Sequence, residues 1–185
     1  MHRQSASYRA IASHLKHGGL IAYPTESCYG LGCDPDNYQA VRKLLRFKQR
    51  PQRKGLIVIA SSYRQVKSYL QPLAVNHQKM LAEAGGNAIT YLMPALSSTP
   101  HCLRGVHNTL AVRLTAFQPA LRLCKGIGHA LVSTSANRSG KRPSKTFADC
   151  QRIFGSKVWV LPGKVGKRKK PSTIRTWADG KIIRS

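Results

Sequence analysis

The chain has 185 residues, 42% of them hydrophobic, which is enough for one globular domain with a real core and short for two. Its 31 Lys and Arg face only 6 Asp and Glu, a net charge of +25. This composition excludes wholesale disorder, argues against a catalytic carboxylate dyad, and calls for an anionic partner to relieve self-repulsion.

In chain order, Ser5 to His17 places Tyr8, Ile11, Ala12 and Leu15 at helical spacing and ends at Gly18-Gly19. Leu20 to Tyr23 reads as a strand running into a Pro24-Thr25 turn. Asp36-Asn37 is a candidate N-cap for a helix carrying Val41, Leu44, Leu45 and Phe47, stopped by Pro51. Leu56 to Ala60 reads as a buried strand, and Tyr63 to Leu70 and Val75 to Ala84 as helices. Short strands follow at Ala88 to Met93, Leu110 to Leu114, Ala130 to Ser133, Lys157 to Leu161 and Thr173 to Trp177. Helices are expected at Pro119 to Lys125 and Thr146 to Phe154. The alternation, without repeat or long linker, predicts one α/β domain over residues 1–185, a twisted mixed sheet flanked by helices. Lys164 to Lys170, with five cations and no acid, is the candidate mobile loop.

No run approaches the roughly 20 apolar residues a membrane span needs, and there is no apolar leader. Five cysteines without CxxC spacing point to a reducing compartment, so a soluble, cytoplasmic protein is expected. The P-loop, GxGxxG and GxSxG patterns are absent, and the cysteines and histidines lack metal-ligand spacing. What remains is two hydroxyl-rich turns at strand ends, Tyr23-Pro24-Thr25-Glu26-Ser27 and Ser133-Thr134-Ser135-Ala136-Asn137, with Lys48-Gln49-Arg50-Pro51 between them. Backbone N–H groups, hydroxyls and unpaired cations suit a phosphate and a small carboxylate.

These stretches, extended to Tyr23–Gly32 and Ser133–Gly140 and joined by Ala111-Val112-Arg113, resemble the YrdC family of threonylcarbamoyl-AMP synthases, in its short bacterial form without an appended C-terminal domain. The resemblance runs from about Leu20 to Arg184. It implies a YrdC-like fold and an ATP-dependent reaction in which L-threonine and bicarbonate give N-carboxythreonine. The new carboxylate attacks the α-phosphate of ATP, and threonylcarbamoyl-AMP and pyrophosphate leave. A transferase partner then modifies an adenosine beside the anticodon in tRNA. ATP arrives with Mg2+ as substrate, and no tightly bound cofactor or protein-held metal is implied.

Residue by residue, the resemblance gives Thr25, Arg113 and Ser133 to threonine. It gives Lys48, Arg50, Thr109, Ser135, Asn137, Ser144 and Arg168 to the nucleotide, with Lys167 as an alternative to Arg168. Glu26 stands where the family carries an acid and would orient threonine's amine or a magnesium-bound water. No catalytic acid or base is assigned. Arg113 also stands out physically, because a cation between Val112 and Leu114 on a strand is costly unless paired. Its ordinary alternative is a buried ion pair, for which six acids are available. Thr25 could equally stabilise its turn, and Ser and Asn could cap helices. Where the family carries a Trp-Pro-Gly-Pro-like turn, this chain has Ala84-Gly85-Gly86-Asn87-Ala88. The cation clusters, seven in Arg42 to Lys54 and a further group at Arg138, Lys141, Arg142 and Lys145, raise the alternative of an RNA-binding domain without the synthase reaction.

Overall fold

A computed structural model describes residues 7–138 and 140–185. Among the described residues six α-helices, α1 (Tyr8–Lys16), α2 (Tyr38–Lys48), α3 (Val75–Ala84), α4 (His101–Arg104), α5 (Gln118–Ile127) and α6 (Phe147–Phe154), pack on one mixed sheet. Its strands are β1 (Ile21–Pro24), β2 (Tyr29–Cys33), β3 (Ile57–Ala60), β4 (Ile89–Pro94), β5 (Thr109–Leu114), β6 (Leu131–Ser135), β7 (Trp159–Val160), β8 (Thr173–Thr176) and β9 (Ile182–Arg184). The spatial order is β7-β1-β2-β6-β3-β5-β4-β8-β9, parallel at β7/β1, β3/β5 and β4/β8 and antiparallel elsewhere. The expected α/β fold, a mixed sheet flanked by helices, is the fold observed.

The two faces of the sheet are treated differently by the sequence. One presents Leu31, Val58, Val132, Leu110, Val112 and Met93, all buried against α2 (Val41, Leu44), α4 (Leu103) and α6 (Cys150, Phe154). The opposite face begins the same way, with Ile21, Tyr23, Ile59 and Leu131 under α1 (Ile11, Leu15) and α5 (Leu123, Ile127). Two residues further along β6, on the same face by strand alternation, Leu131 gives way to Ser133 and then Ser135. Hydroxyls cannot repay burial under an apolar helix, so no helix covers this part of the sheet and a cleft opens there.

Several elements depart from expectation. Strand β2 and strand β9 are additional, as is the short helix α4. Tyr63 to Leu70 is not one helix but two 3-10 turns, Tyr63–Gln65 and Lys67–Tyr69. The Tyr69 hydroxyl donates to Asp36 Oδ1 at 2.5 Å, and its carbonyl accepts from Leu96 N and Thr99 Oγ1, so long-range bonds override local helical propensity. The 164–170 segment has an anchor the charge pattern hides. Val165 packs against the core, while Gly166 N and Arg168 N donate to the carbonyls of Thr25 and Glu26 at 2.9 and 3.0 Å. Among the described residues no helix is long and apolar enough to cross a membrane.

Candidate active site

The floor of the cleft is made where β2, β6, β3 and β5 lie side by side. Gly30 pairs with Ser135, Gly32 with Ser133, Ser133 with Ile57, and Ile57 with Ala111. Glycine is poor strand material, but here a side chain has no room. A Cβ on Gly32 would stand 2.6 Å from the Val132 carbonyl oxygen and 3.0 Å from the Tyr23 ring. Tyr23 therefore crosses over β2 and donates its hydroxyl to Ser133 Oγ at 2.7 Å. Burial pushes the Tyr23 phenol well above its ordinary pKa, so it stays a neutral donor and leaves the Ser133 proton free for a ligand.

The cavity holds about 350 Å3. Five cations line it, Arg50, Arg113, Lys145, Lys169 and Arg184, with hydroxyl residues Thr25, Ser27, Ser133, Ser135 and Ser172. No carboxylate is among the lining residues. Such a lining takes a multiply charged anion, because cations and hydroxyls converge and, of the five cations, only Arg113 has a carboxylate partner within the fold. The described residues contain no His, Cys, Asp and Glu group able to hold a metal ion.

Arg50 donates from Nε and one terminal nitrogen to the Gly55 carbonyl at 3.1 and 3.0 Å, which fixes its plane. Its pKa is lowered, first by burial and then by Arg184, so both residues gain from a shared anion. A smaller depression of about 180 Å3 adjoins the cleft and shares Arg50, Thr134 and Ser135 with it. Lys48 lines that depression. Lys48 as a residue is 7% exposed, and its ammonium donates to Ser135 O, Asn137 O and Asn137 Oδ1 at 2.6, 2.7 and 2.6 Å. Burial, and then Arg50, lower its pKa to about 8. Asn137 Oδ1 also accepts from Ser135 Oγ at 2.7 Å, and its amide donates to Lys141 O at 2.7 Å.

Arg113 is ion-paired with Glu26, the two side chains being 11% and 16% exposed. Its Nε is buried without a hydrogen-bond partner. The costly cation is thus paired within the fold, as its ordinary alternative required, and it also lines the cleft.

The Sua5/YciO/YrdC family model, described as "Telomere recombination", matches residues 13–185. The chain belongs to this family. It is 49% identical over 176 residues to the threonylcarbamoyl-AMP synthase of Methylobacillus flagellatus, covering 95% of this chain and 98% of that protein. To the same-named protein of Neisseria gonorrhoeae it is 44% identical over 181 residues, covering 97% and 96%. A crystal structure of P. abyssi Sua5 complexed with L-threonine superposes with a TM-score of 0.83 at 26% identity. That match covers 95% of this chain and 52% of the other, so the chain spans about half the length of Sua5. E. coli YciO, at 21% identity and a TM-score of 0.78, shares the fold and covers 96% of this chain and 88% of its own.

Of the residues singled out in the sequence, Thr25, Arg50, Arg113, Ser133 and Ser135 meet at the cleft, while Lys48 and Asn137 stand behind its wall at the adjoining depression. The Thr25 hydroxyl donates to the Cys28 carbonyl at 2.8 Å, which closes its turn and uses its one proton there. Thr109 shares the cleft-side face of β5 with Arg113 but does not line the cavity. Ser144 is buried between Pro143 and Lys145, which do line it. Arg168 bends back to Pro171 O and Thr173 Oγ1, and Lys169 takes the cleft position instead. Ser139 lies outside the described residues.

Lys145, Lys169, Ser172 and Arg184 were not assigned from the sequence. For Arg184 a signal existed. Asp179-Gly180 is a hairpin turn, with Gly180 at φ +68°, and it folds β9 back onto β8 so that Arg184 pairs with Ile174. Arg184 then donates to the Ser172 carbonyl at 2.9 Å.

Proposed function

We propose that this protein is an ATP-dependent threonylcarbamoyl-AMP synthase, a nucleotidyltransferase acting in tRNA modification. The observation that carries the reading is the cleft itself, five cations and a row of hydroxyls with no carboxylate, in a chain nearly half identical to proteins of that name. In this reading the α-carboxylate of L-threonine takes Arg113, and its side chain meets Thr25 and Ser133. Arg50, Lys145, Lys169 and Arg184 hold the triphosphate, with Mg2+ travelling on the ATP as part of the substrate. The attacking group is the carboxylate of N-carboxythreonine. Its oxygen bonds to the α-phosphorus, the bond from that phosphorus to the bridging oxygen breaks, and pyrophosphate leaves with the electron pair. Little acid–base work is required, so positioning and charge stabilisation suffice. This fits a site whose nearest acid, Glu26, is already engaged with Arg113. Free, mostly buried cysteines accord with a cytoplasmic setting.

The test is pyrophosphate release with ATP, Mg2+, L-threonine and bicarbonate, omitting each in turn. The reading requires that release depend on threonine and bicarbonate together. Release from ATP alone, or none from protein that binds ATP, would overturn it.

A second reading has its own observation. Beyond the cleft, Arg42, Arg46 and Arg50 line a separate depression on α2 and the turn after it, and Arg53 and Lys54 stand exposed beside it. That band exceeds what one nucleotide needs and fits an RNA backbone, with tRNA or a transferase–tRNA complex as the partner. Its mark would be RNA affinity that falls steeply with salt and weakens in an Arg42→Ala, Arg46→Ala, Arg53→Ala variant.

A further inference from the structure

We infer that Tyr29 is the positioning residue that sets Lys169 in the cleft, acting from the far side of the sheet through the 164–170 strap. The inference rests on the reading above that Lys169 helps to hold the triphosphate, and it names what brings that lysine there.

The five cations of the cleft are not held alike. Arg50 is fixed by the Gly55 carbonyl, Arg113 by Glu26 and Arg184 by the Ser172 carbonyl. Lys169 stands in the strap, outside helices and strands, and among the described residues its side chain makes no hydrogen bond or ion pair. A lysine is a point charge on a flexible stem, so its place is set by whatever fixes the backbone beneath it.

That backbone leads back to Tyr29. The Tyr29 hydroxyl shares its one proton between Gly163 O at 2.8 Å and Leu161 O at 3.3 Å, just ahead of the strap. Burial pushes the phenol up to about 12, so it stays a donor through neutral pH. Gly163 is pressed against the Pro24 ring, where a Cβ would stand 2.7 Å from Pro24 Cγ. Further on, Gly166 N and Arg168 N donate to the carbonyls of Thr25 and Glu26, and Lys169 follows directly. The hydroxyl thus fixes the line on which the strap sets out, and the later bonds hold it to that line.

Tyr29 is itself rigid. Its N donates to Ser144 O and its carbonyl accepts Ala136 N, both at 2.8 Å, and its ring is fully buried in the core that includes Cys150 and Phe154 of α6. Along β2, Tyr29, Leu31 and Cys33 share the core face, whereas Gly30 turns to the cleft and lines it. Tyr29 does not line the cavity, so it acts by positioning and has no catalytic role. Without the hydroxyl the two carbonyls lose their shared donor, and they regain one from water only where the chain lifts off Tyr29. That moves Lys169 away from the phosphates, and the loss is bounded by what Lys169 itself contributes. Threonine's assigned contacts are spared, because Thr25 closes its own turn on Cys28 O and Ser133 is held by Tyr23.

The test removes only the hydroxyl, in Tyr29→Phe, and measures ATP and L-threonine affinity by calorimetry, alone and combined with Lys169→Met. ATP should weaken about fivefold in Tyr29→Phe and about tenfold or more in Lys169→Met, with threonine within about twofold of wild type in both. Because Tyr29 acts through Lys169, the double variant should bind ATP as Lys169→Met does, to within about twofold. Trypsin should cut residues 164–170 of Tyr29→Phe about fivefold faster than those of wild type, since cleavage needs the strap to open. A merely structural role would weaken both ligands together and would multiply with Lys169→Met. Either of those results overturns the inference, as does an unchanged rate of trypsin cleavage. Wild-type ATP affinity in Tyr29→Phe beside a weakened Lys169→Met also overturns it while leaving the reading of Lys169 intact. Wild-type ATP affinity in Lys169→Met removes that reading, and this inference with it. If Tyr29→Phe fails to fold, Gly163→Ala takes its place, because the new Cβ drives the strap off Pro24 without touching the core. It should show the same selective loss of ATP, and its absence there overturns the inference.

Discussion

Replacing Lys48 by Met tests whether this lysine is a free phosphate ligand or a built-in support of the second turn. Methionine keeps the length and apolar stem and removes only the ammonium. Three bonds of 2.6 to 2.7 Å to Ser135 O, Asn137 O and Asn137 Oδ1 disappear with it. Hydrogen bonds from a charged donor contribute about 1.5–3 kcal/mol each. Against that stands the cost of burying the ammonium, about 3 kcal/mol, equivalent to holding its pKa down at about 8. The balance is a loss of roughly 3 kcal/mol of stability on substitution. For a chain of this size that lowers Tm by roughly 6–12 °C. Because the same turn carries Ser135 into the cleft, KM for ATP should rise by about tenfold or more. Thermal unfolding and initial-rate kinetics on one preparation read both. A variant that loses activity with Tm within about 2 °C of wild type would refute the structural part, leaving Lys48 as a ligand residue only.

Three further outcomes follow from the site. Arg113→Met strands Glu26 as a buried charge and should cost about 3–5 kcal/mol, whereas Arg113→Met with Glu26→Gln should recover most of that stability without recovering threonine binding; denaturant unfolding and calorimetry separate the two effects. Tyr23→Phe removes the donor that orients Ser133 and should cost about 1 kcal/mol with a several-fold rise in KM for threonine, and an unchanged KM would deny Ser133 its assigned contact. Lys48 sits at a pKa of about 8 in the free protein, and a bound polyphosphate favours its charged form, so ATP binding should take up protons near pH 8 and weaken above it. Calorimetry in two buffers of different ionisation enthalpy measures that uptake, and proton release would contradict the sign.

Much of this architecture is legible in the sequence because period and punctuation agree. Asn37 caps α2 with its side chain accepting Ala40 N, and Pro51 closes the segment, as the pattern indicates. Strands β3, β4, β5, β6 and β8 lie within a residue or two of their expected bounds. Strand β2 was not legible because Tyr-Gly-Leu-Gly-Cys opposes strand propensity, and its glycines make sense only once Tyr23 is seen crossing them. The cleft-lining residues set by local motif, Thr25, Ser133 and Ser135, were legible for the same reason that β6 was. Arg184 and Lys169 depend on where the chain's last turn and the 164–170 strap come to rest, which spacing along the sequence does not encode. The partner of Arg113 was a choice among six acids, settled only by the turn that brings Glu26 back over β5.

The most direct test follows radiolabelled bicarbonate into product. With ATP, Mg2+ and L-threonine present, label should appear in a compound that contains AMP and yields threonine on hydrolysis, in proportion to the pyrophosphate released. Omission of threonine should abolish it. Label that never enters an adenylate, from protein shown to bind both ATP and threonine, would contradict the assignment of this cleft.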